Sequence, residues 1–230
     1  KSADISDVMR KLQQEVSMSI RLEGNKVSDT DYIDLGNLDF DKLKQAFDKS
    51  DNKNAVVFDL QKAIDLKLKK MVQENPIRLE FYEKYKLIIE EYNAGKDIHA
   101  VQKAFDDVND FVENILTPEM ERAVREGLDE ETLAIYDLLK KPTLNKKEED
   151  AVKSVAKKIL ASLKEEKLKI DLWRDSIQVS SQIKVMIDEG LQYLPQEPYP
   201  DEELDTASLV VYQHIYSNYQ GGGDSCYGSF

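Results

Sequence analysis

Only one cysteine, Cys226, occurs among the 230 residues of the chain. An internal disulfide is therefore excluded, and a reducing compartment is expected because disulfides persist mainly in oxidising ones. No run of about 18 apolar residues occurs, and no charged segment followed by an apolar one resembles a secretory leader. These features predict a cytoplasmic protein that does not span a membrane and has no membrane partner.

Glycine and proline are also scarce, with 9 and 6 residues, and they fall between periodic apolar segments. Because both residues interrupt helices, this distribution is what a helical protein requires. A hydrophobic content of 41% supplies enough material for a core. We therefore predict an all-α fold, an irregular helical bundle of two sub-domains joined near Pro76, with a flexible Gly-rich tail from about residue 220.

Capping residues mark the expected helix boundaries. Asp129 and Asn145 each precede an apolar-periodic segment, as N-caps do, and Asn75 before Pro76 marks another start. Gly95 follows such a segment where a left-handed C-cap is expected. The other predicted helices cover residues 4–22, 39–47, 54–72, 98–116, 117–127, about 173–190 and about 204–219.

Residue patterns for common catalytic and metal chemistry are missing or incomplete. The glycine in residues 94–97 lacks the frame of a phosphate-binding loop, and the Glu-Glu-Lys of residues 165–167 lacks the preceding Asp on a strand that a nuclease site needs. His99 and His214 are the only histidines, too few for a His/Cys metal cluster or a base-activated nucleophile. We predict no catalytic residue and no metal site.

One weaker pattern is that of a calcium loop. Asp48, Ser50, Asn52 and Asp59 occupy positions 1, 3, 5 and 12 between two predicted helices, where oxygen ligands would surround the ion. Position 6 is Lys53 where the turn needs glycine, and position 12 is shorter than the usual glutamate. A polar loop between helices is favoured, and a calcium-binding helical protein is a distant alternative.

Charge is distributed unevenly along the chain. The net charge of −13 disfavours non-specific attraction to DNA or anionic lipid. Residues 140–169, however, contain 10 basic and 5 acidic residues, whereas residues 170–230 contain 2 and 10. Since screening confines electrostatic attraction to about 10 Å at physiological salt, an anion would bind at the basic island of residues 140–169.

Four lysines of this island share one side of a predicted helix. They fall in an arc about 40° wide and about 27 Å long, beside the apolar face. Such a stripe can contact phosphates along a groove edge, and lysine favours positioning over base recognition. The predicted DNA-binding residues are Lys146, Lys153, Lys157 and Lys164, together with Lys147, Lys158 and Lys167. The alternative is a solvated face on which acids such as Glu149 and Glu165 pair with lysines four residues away.

Tyrosines recur on the last predicted helix, at Tyr212, Tyr216 and Tyr219. Each ring joins apolar area to a hydrogen-bonding tip, so the stripe can close the fold or offer a partner surface. We predict that these three tyrosines bind a partner.

Several stretches resemble a known family. Residues 81–93, which contain Ile-Ile-Glu-Glu-Tyr-Asn, and residues 127–139, Gly-Leu-Asp-Glu-Glu-Thr-Leu-Ala-Ile-Tyr-Asp-Leu-Leu, resemble the C-terminal region of the motor (R) subunit of type I restriction-modification enzymes. Residues 159–187 are similar to the next block of that family, with Ser180-Ser181 in place of the basic and small pair expected there. Residues 199–219 resemble enterobacterial members.

The resemblance implies a fragment of that subunit whose nuclease and helicase-like motor domains lie upstream. Residues 1–75 would belong to the preceding helical domain, and residues 76–230 would form a C-terminal helical assembly domain. The fragment would be non-catalytic and without a cofactor of its own, while ATP and Mg²⁺ serve the parent complex, an ATP-dependent site-specific deoxyribonuclease.

The resemblance also implies partners. They would be the modification and specificity subunits of the methyltransferase core, the upstream domains of the same subunit, and double-stranded DNA. The expected function is docking of the motor subunit on the methyltransferase core, with contacts to DNA phosphates through the basic island. A module that binds only protein is the alternative.

Overall fold

The structure, a computed structural model, describes residues 40–49, 51, 53–95 and 98–230. Helices dominate these residues, which confirms the predicted all-α class. The helix predicted over residues 4–22 and the cap predicted at Asp39 lie outside the described residues.

Contacts between residues divide the chain into two compact units. The first unit combines the described residues up to Val72 with Arg78–Gly127, and the second combines Gln73–Ile77 with Leu128–Phe230. The chain therefore enters the second unit around Pro76, leaves it, and returns at Leu128.

The first unit is built from helices joined by short turns. The elements up to Glu126, in chain order, are α1 (Phe40–Lys49), α2 (Lys53–Glu74), a 3₁₀ turn (Pro76–Arg78), α3 (Leu79–Ala94), α4 (Ile98–Phe111), a π-helical turn (Val112–Leu116), α5 (Thr117–Met120) and α6 (Arg122–Glu126). The end of α2 from Gln73 and the turn as far as Ile77 belong to the second unit. Along α2, Val57, Leu60 and Ile64 are buried at three- and four-residue steps, so one face packs inward. The stacked rings of Phe47 and Phe105, with centroids 3.8 Å apart, join α1 to α4 in the same core.

Two local expectations for the first unit need correction. Gly95 is not left-handed: its φ of −84° and ψ of 142° are extended, and a Cβ there would overlap the side chain of Ala100, so the glycine serves close packing. The helix expected to end at Leu116 continues through a π-helical turn into the segment that contains Pro118, because a π turn accommodates the missing N–H of proline.

The calcium-loop pattern does not form a loop. Because α2 begins at Lys53, everything from position 6 onward is helical, which leaves no loop to surround an ion. Ser50 and Asn52 lie outside the described residues. Across the described ranges, no three His, Cys, Asp or Glu side chains come together as a metal site would require.

The second unit is centred on a short helix. Its elements are α7 (Glu130–Leu139), α8 (Lys146–Glu166), a 3₁₀ turn (Trp173–Asp175), α9 (Ile177–Leu191), α10 (Asp201–Asn218), β1 (Tyr219–Gly221), β2 (Asp224–Ser225) and β3 (Gly228–Ser229). Every side chain of α7 from Thr132 to Asp137 is buried, as expected for a central helix. Helices α8 and α10 both pack on α7, and α9 packs on both of them.

The Gly-rich tail differs from the flexible segment expected from the sequence. The last residues form a three-stranded antiparallel sheet in the order β1-β2-β3. Gly222 and Gly223 have φ of +65° and +82° between β1 and β2, and positive φ at two successive residues is what a tight hairpin turn requires. Here the glycines supply a turn, and the sheet is a small addition to the helical fold.

None of the helices in the described ranges carries an apolar stretch that would cross a lipid bilayer.

Candidate functional site

Helix α8 carries the basic island, and its ends are set locally. Asn145 accepts hydrogen bonds from the backbone N–H of Lys147 and Glu148, at 3.0 and 3.1 Å, and Glu148 accepts one from the N–H of Asn145 at 2.8 Å. This capping box starts the helix where the sequence predicted. One face is buried through Val152, Ala156 and Ile159, among others, so the opposite face is left to solvent.

Three of the four lysines of the predicted stripe have partners within the second unit. Lys164 pairs with Glu131 of α7 at 2.7 Å, and the ammonium of Lys153 lies 5.4 Å from the ring centroid of Tyr136. Lys146 pairs with Asp150, four residues away, at 3.1 Å. The contacts of Lys153 and Lys164 come from α7, which is why the sequence alone did not reveal them.

The lysines that remain accessible lie farther around the helix. Lys147, Lys157 and Lys158 are exposed, and no ion pair involves them among the residues that the structure describes. On an ideal helix these three fall within an arc of about 100° on the side opposite the core. Lys147 and Lys158 are about 16 Å apart along the axis, roughly half a turn of duplex. Lys167, also predicted, is half-buried just after the helix end.

Small side chains separate these three lysines. Ser154 and Ala161 are exposed on the same outer face, so the helix backbone can be approached closely there. The surface defined by Lys147, Lys157 and Lys158, hereafter the outer lysine face, can attract a phosphate backbone by charge without offering the planar donors that read bases.

The predicted tyrosine stripe divides into two parts. Tyr219 is fully buried, and its hydroxyl donates to Oε2 of Glu131 at 2.7 Å. Burial and this hydrogen bond raise the pKa of Tyr219 above its usual value. Tyr212 and Tyr216 lie at the surface with ring centroids 6.1 Å apart, and Tyr216 is 43% exposed. The structure therefore places only Tyr212 and Tyr216 where a partner can reach them.

Tyr216 also belongs to a cluster that the sequence did not predict. Its ring meets the buried ring of Trp173 edge to face, with centroids 5.7 Å apart. The guanidinium carbon of Arg174 lies 5.3 Å from the Tyr216 centroid and 5.9 Å from that of Trp173. Tyr216 had a sequence signal as part of the tyrosine stripe, and Trp173 and Arg174 had one through the family block that contains them, but nothing in the sequence predicted that the three meet.

His214 is a structural residue of the same unit. It is fully buried; Nδ1 lies 3.0 Å from Nδ2 of Asn218, and Nε2 lies 3.1 Å from the hydroxyl of Tyr227. The Tyr227 hydroxyl donates to the carbonyl of Glu74, so the imidazole is neutral with its proton on Nε2. Burial lowers the pKa of His214 to about 4.

Comparison with protein families identifies the chain. A family model described as the C-terminal region of type I restriction enzyme HindI endonuclease subunit-like proteins matches residues 2–219. The chain belongs to this family. No significant match was found among curated proteins or among solved structures. The resemblance seen in the sequence is thereby confirmed as the C-terminal region of a type I restriction endonuclease subunit.

The stretch that carried most of the resemblance to this restriction-subunit family builds the core. Gly127, with a φ of +68°, ends α6 in the left-handed conformation, and Asp129 caps α7 by accepting the N–H of Thr132 at 2.7 Å. Tyr136 is fully buried. Residues 127–139 are thus the structural centre of the second unit, and the accessible chemistry lies on α8 and around Arg174.

Proposed function

We propose that this C-terminal region is a non-catalytic assembly module of the type I restriction endonuclease subunit. It docks the subunit on the methyltransferase core of modification and specificity subunits, and its outer lysine face contacts DNA phosphates. Nuclease chemistry, ATP and Mg²⁺ belong to other parts of the subunit, with the upstream domains of the same subunit as a further partner. The work of this region takes place in the cytoplasm.

The observation that carries the DNA contact is the accessibility of Lys147, Lys157 and Lys158. Their ammonium groups are exposed and have no carboxylate partner among the described residues, so no ion pair has to be broken before a phosphate binds. Asp150, an acid on this side of the helix, pairs with Lys146. Lys164 is not among the residues proposed to contact phosphate, because it is ion-paired with Glu131.

Salt dependence tests the proposal directly. Each phosphate neutralised contributes about 0.9 to the slope of log K against log salt. Replacing Lys147, Lys157 and Lys158 by Gln should therefore lower the slope for duplex binding by about 3 and weaken binding of unrelated sequences equally. Binding of this chain to fluorescent duplexes over a salt series measures both.

A matched control uses exposed lysines elsewhere. Lys44, Lys62 and Lys184 are exposed, and their joint replacement by Gln changes the net charge by the same amount. A slope that falls equally for both triple variants would mean that overall charge, and not the outer lysine face, sets the affinity. An unchanged slope in the first variant would reject the phosphate contact.

A module that binds only protein is the second candidate. It is favoured by the contacts that Lys146, Lys153 and Lys164 make within the chain, since these contacts engage three of the four stripe lysines. It predicts that the outer lysine variant assembles normally and that the chain has no duplex affinity even at low salt.

A further inference from the structure

Arg174 holds an unusual position for an arginine. Its guanidinium stacks near the rings of Trp173 and Tyr216, at 5.9 and 5.3 Å. Trp173 is fully buried, and its ring meets that of Tyr216 edge to face. Stacking on two aromatic rings holds the guanidinium in one orientation before anything binds.

The charge of Arg174 is not balanced by any of the residues that the structure describes. Among the described residues it has no carboxylate partner and no hydrogen-bond acceptor, and its Nε and Nη2 atoms are buried. Burial lowers the pKa of the guanidinium below its usual value. Because a half-buried charge without a counter-ion is costly, an acceptor supplied from outside would stabilise this site. The remaining nitrogen, Nη1, is the one that solvent reaches.

The backbone beside Arg174 is strained and presents an apolar side chain. Leu172 has a φ of +52°, in the left-handed region that a bulky residue rarely adopts. Its side chain is 71% exposed, so packing within the chain does not offset that strain. The segment before this turn is bonded to the terminal hairpin, since the N–H of Gly223 donates to the carbonyl of Leu168 at 3.3 Å.

A second exposed apolar residue follows at the start of α9. Ile177 is 86% exposed, and Tyr216 contributes a further ring that is 43% exposed. Leu172, Arg174, Ile177 and Tyr216, hereafter the Arg174 patch, therefore combine an arginine, an aromatic ring and aliphatic side chains. Arginine and aromatic residues are the types enriched at the energetic centres of protein interfaces.

We propose that the Arg174 patch is the docking site for a protein segment that presents one Asp or Glu carboxylate to Arg174, flanked by apolar side chains that cover Leu172 and Ile177. This inference rests on the docking half of the proposed function and names its surface. The carboxylate supplies the counter-ion that Arg174 does not find among the described residues, and the apolar side chains remove the exposed leucine and isoleucine from water.

The surrounding charge favours a protein over DNA. Residues 170–230 contain 10 acidic residues and only Arg174 and Lys184 as bases. Asp171 and Asp175, both exposed, flank Arg174 in the sequence. A phosphate backbone brings many negative charges to this acidic surface and is repelled, whereas one carboxylate on an otherwise apolar or basic segment meets complementary groups.

Assembly of the complete restriction subunit with the methyltransferase core tests this surface. Ile177→Asp and Leu172→Gly each alter an exposed side chain, and glycine also relieves the positive φ, so both variants should fold. We expect each to weaken assembly by about 10-fold or more, measured by titration in an interferometry experiment. Arg174→Gln should do the same, with its fold checked by Trp173 fluorescence.

Val124→Asp is the matched control, since Val124 is 83% exposed on a helix of the first unit. It should leave assembly unchanged. Normal assembly of Ile177→Asp and Leu172→Gly would overturn the proposal. Duplex binding by the outer lysine face is measured separately and should not change in these variants, so failure of one proposal is distinguishable from failure of the other.

The chemical class of the partner group is tested by a zero-length cross-link. In the Arg174→Lys variant, a carbodiimide should join the new amine to an Asp or Glu of a methyltransferase subunit within the assembled complex, and mass spectrometry locates the bond. A bond to a carboxylate of this same subunit would show that the chain covers its own patch and would overturn the proposal. So would the absence of any bond from position 174 in the assembled complex.

Discussion

Nζ of Lys164 lies 2.7 Å from Oε2 of Glu131, and the same oxygen accepts the hydroxyl of Tyr219 at 2.7 Å. The ring of Phe230 lies 4.3 Å from this ammonium. One carboxylate of α7 thus joins α8 to the start of β1, and the lysine has a structural role within the second unit.

Replacing Lys164 with Met should therefore lower the stability of the fold without changing the affinity for duplex DNA. The change leaves Glu131 partly buried without its cation, which costs about 1 to 2 kcal/mol, between the values for surface and buried pairs. Trp173 is the only tryptophan, so its fluorescence during urea unfolding reports on the second unit. Lys157→Met, at an exposed site on the same helix, should change stability by less than about 0.5 kcal/mol. Equal losses in the two variants would contradict the role assigned to Lys164.

A buried ion pair supports the first unit. Nε of Arg78 lies 2.9 Å from Glu119 Oε1, which also accepts from Arg122 at 3.1 Å, and the Arg78 and Glu119 side chains are only 2% and 8% exposed. Arg78→Met should destabilise this unit by about 3 kcal/mol because it leaves a buried carboxylate with one partner. Far-UV circular dichroism during urea unfolding measures the loss. The double variant Arg78→Met/Glu119→Leu should recover much of the stability lost in Arg78→Met. If the losses of the two single variants simply add in the double variant, Arg78 and Glu119 are not coupled.

His214 makes stability depend on pH. Its pKa is about 4 in the folded chain and about 6.5 when unfolded, so between these values the unfolded state binds more protons. The contribution of His214 to the free energy of unfolding is therefore fully present above about pH 6.5. It is lost as the pH drops towards 4, and the loss is about 3 kcal/mol at most. His214→Gln should lack this part of the pH dependence in unfolding followed by Trp173 fluorescence. His99→Gln, at an exposed position, should retain it; a His214 variant with the full dependence would refute the assignment.

Close packing of α8 on α9 occurs at Gly190. A Cβ there would overlap Cγ1 of Ile159 and lie 2.9 Å from its Cδ1. Gly190→Ala should destabilise the second unit by about 1 to 2 kcal/mol, because overpacking exceeds the gain in helix propensity. Ile159→Ala removes the side-chain atoms that the new Cβ would meet. The double variant Gly190→Ala/Ile159→Ala should therefore be more stable than the sum of the two single-variant losses predicts. The same cycle with the exposed Val185→Ala should be additive.

Local signals predicted the helices well because caps act over a few residues. Asn145, Asp129 and Gly127 begin or end helices as the sequence indicated. The glycines of the tail carried a hairpin signal as well, since two adjacent glycines permit positive φ at both turn positions. The strands were not predicted from the sequence, because they depend on the packing of Tyr219 against α7.

The site was predicted less well because it depends on neighbours distant in the sequence. The position of the lysines around α8 follows from helical geometry, but the carboxylate that holds Lys164 comes from α7, 33 positions earlier. The left-handed Leu172, and Arg174 without a partner among the described residues, follow from tertiary packing, for which no local pattern exists. The sequence predicted the basic helix correctly, but the contacts with other helices determine which of its lysines are exposed.

The contact between the hydroxyl of Tyr227 and the carbonyl of Glu74 spans 153 positions and has a consequence for biosynthesis. As the polypeptide emerges from the ribosome, residues 78–127 can collapse with the helices before them while Gln73–Ile77 still lacks its neighbours. The second unit can complete its packing only after the terminal hairpin has been translated, because the contact between Tyr227 and Glu74 needs residues from both ends of the region. Maturation of this region is therefore expected to follow a fixed order, first unit before second.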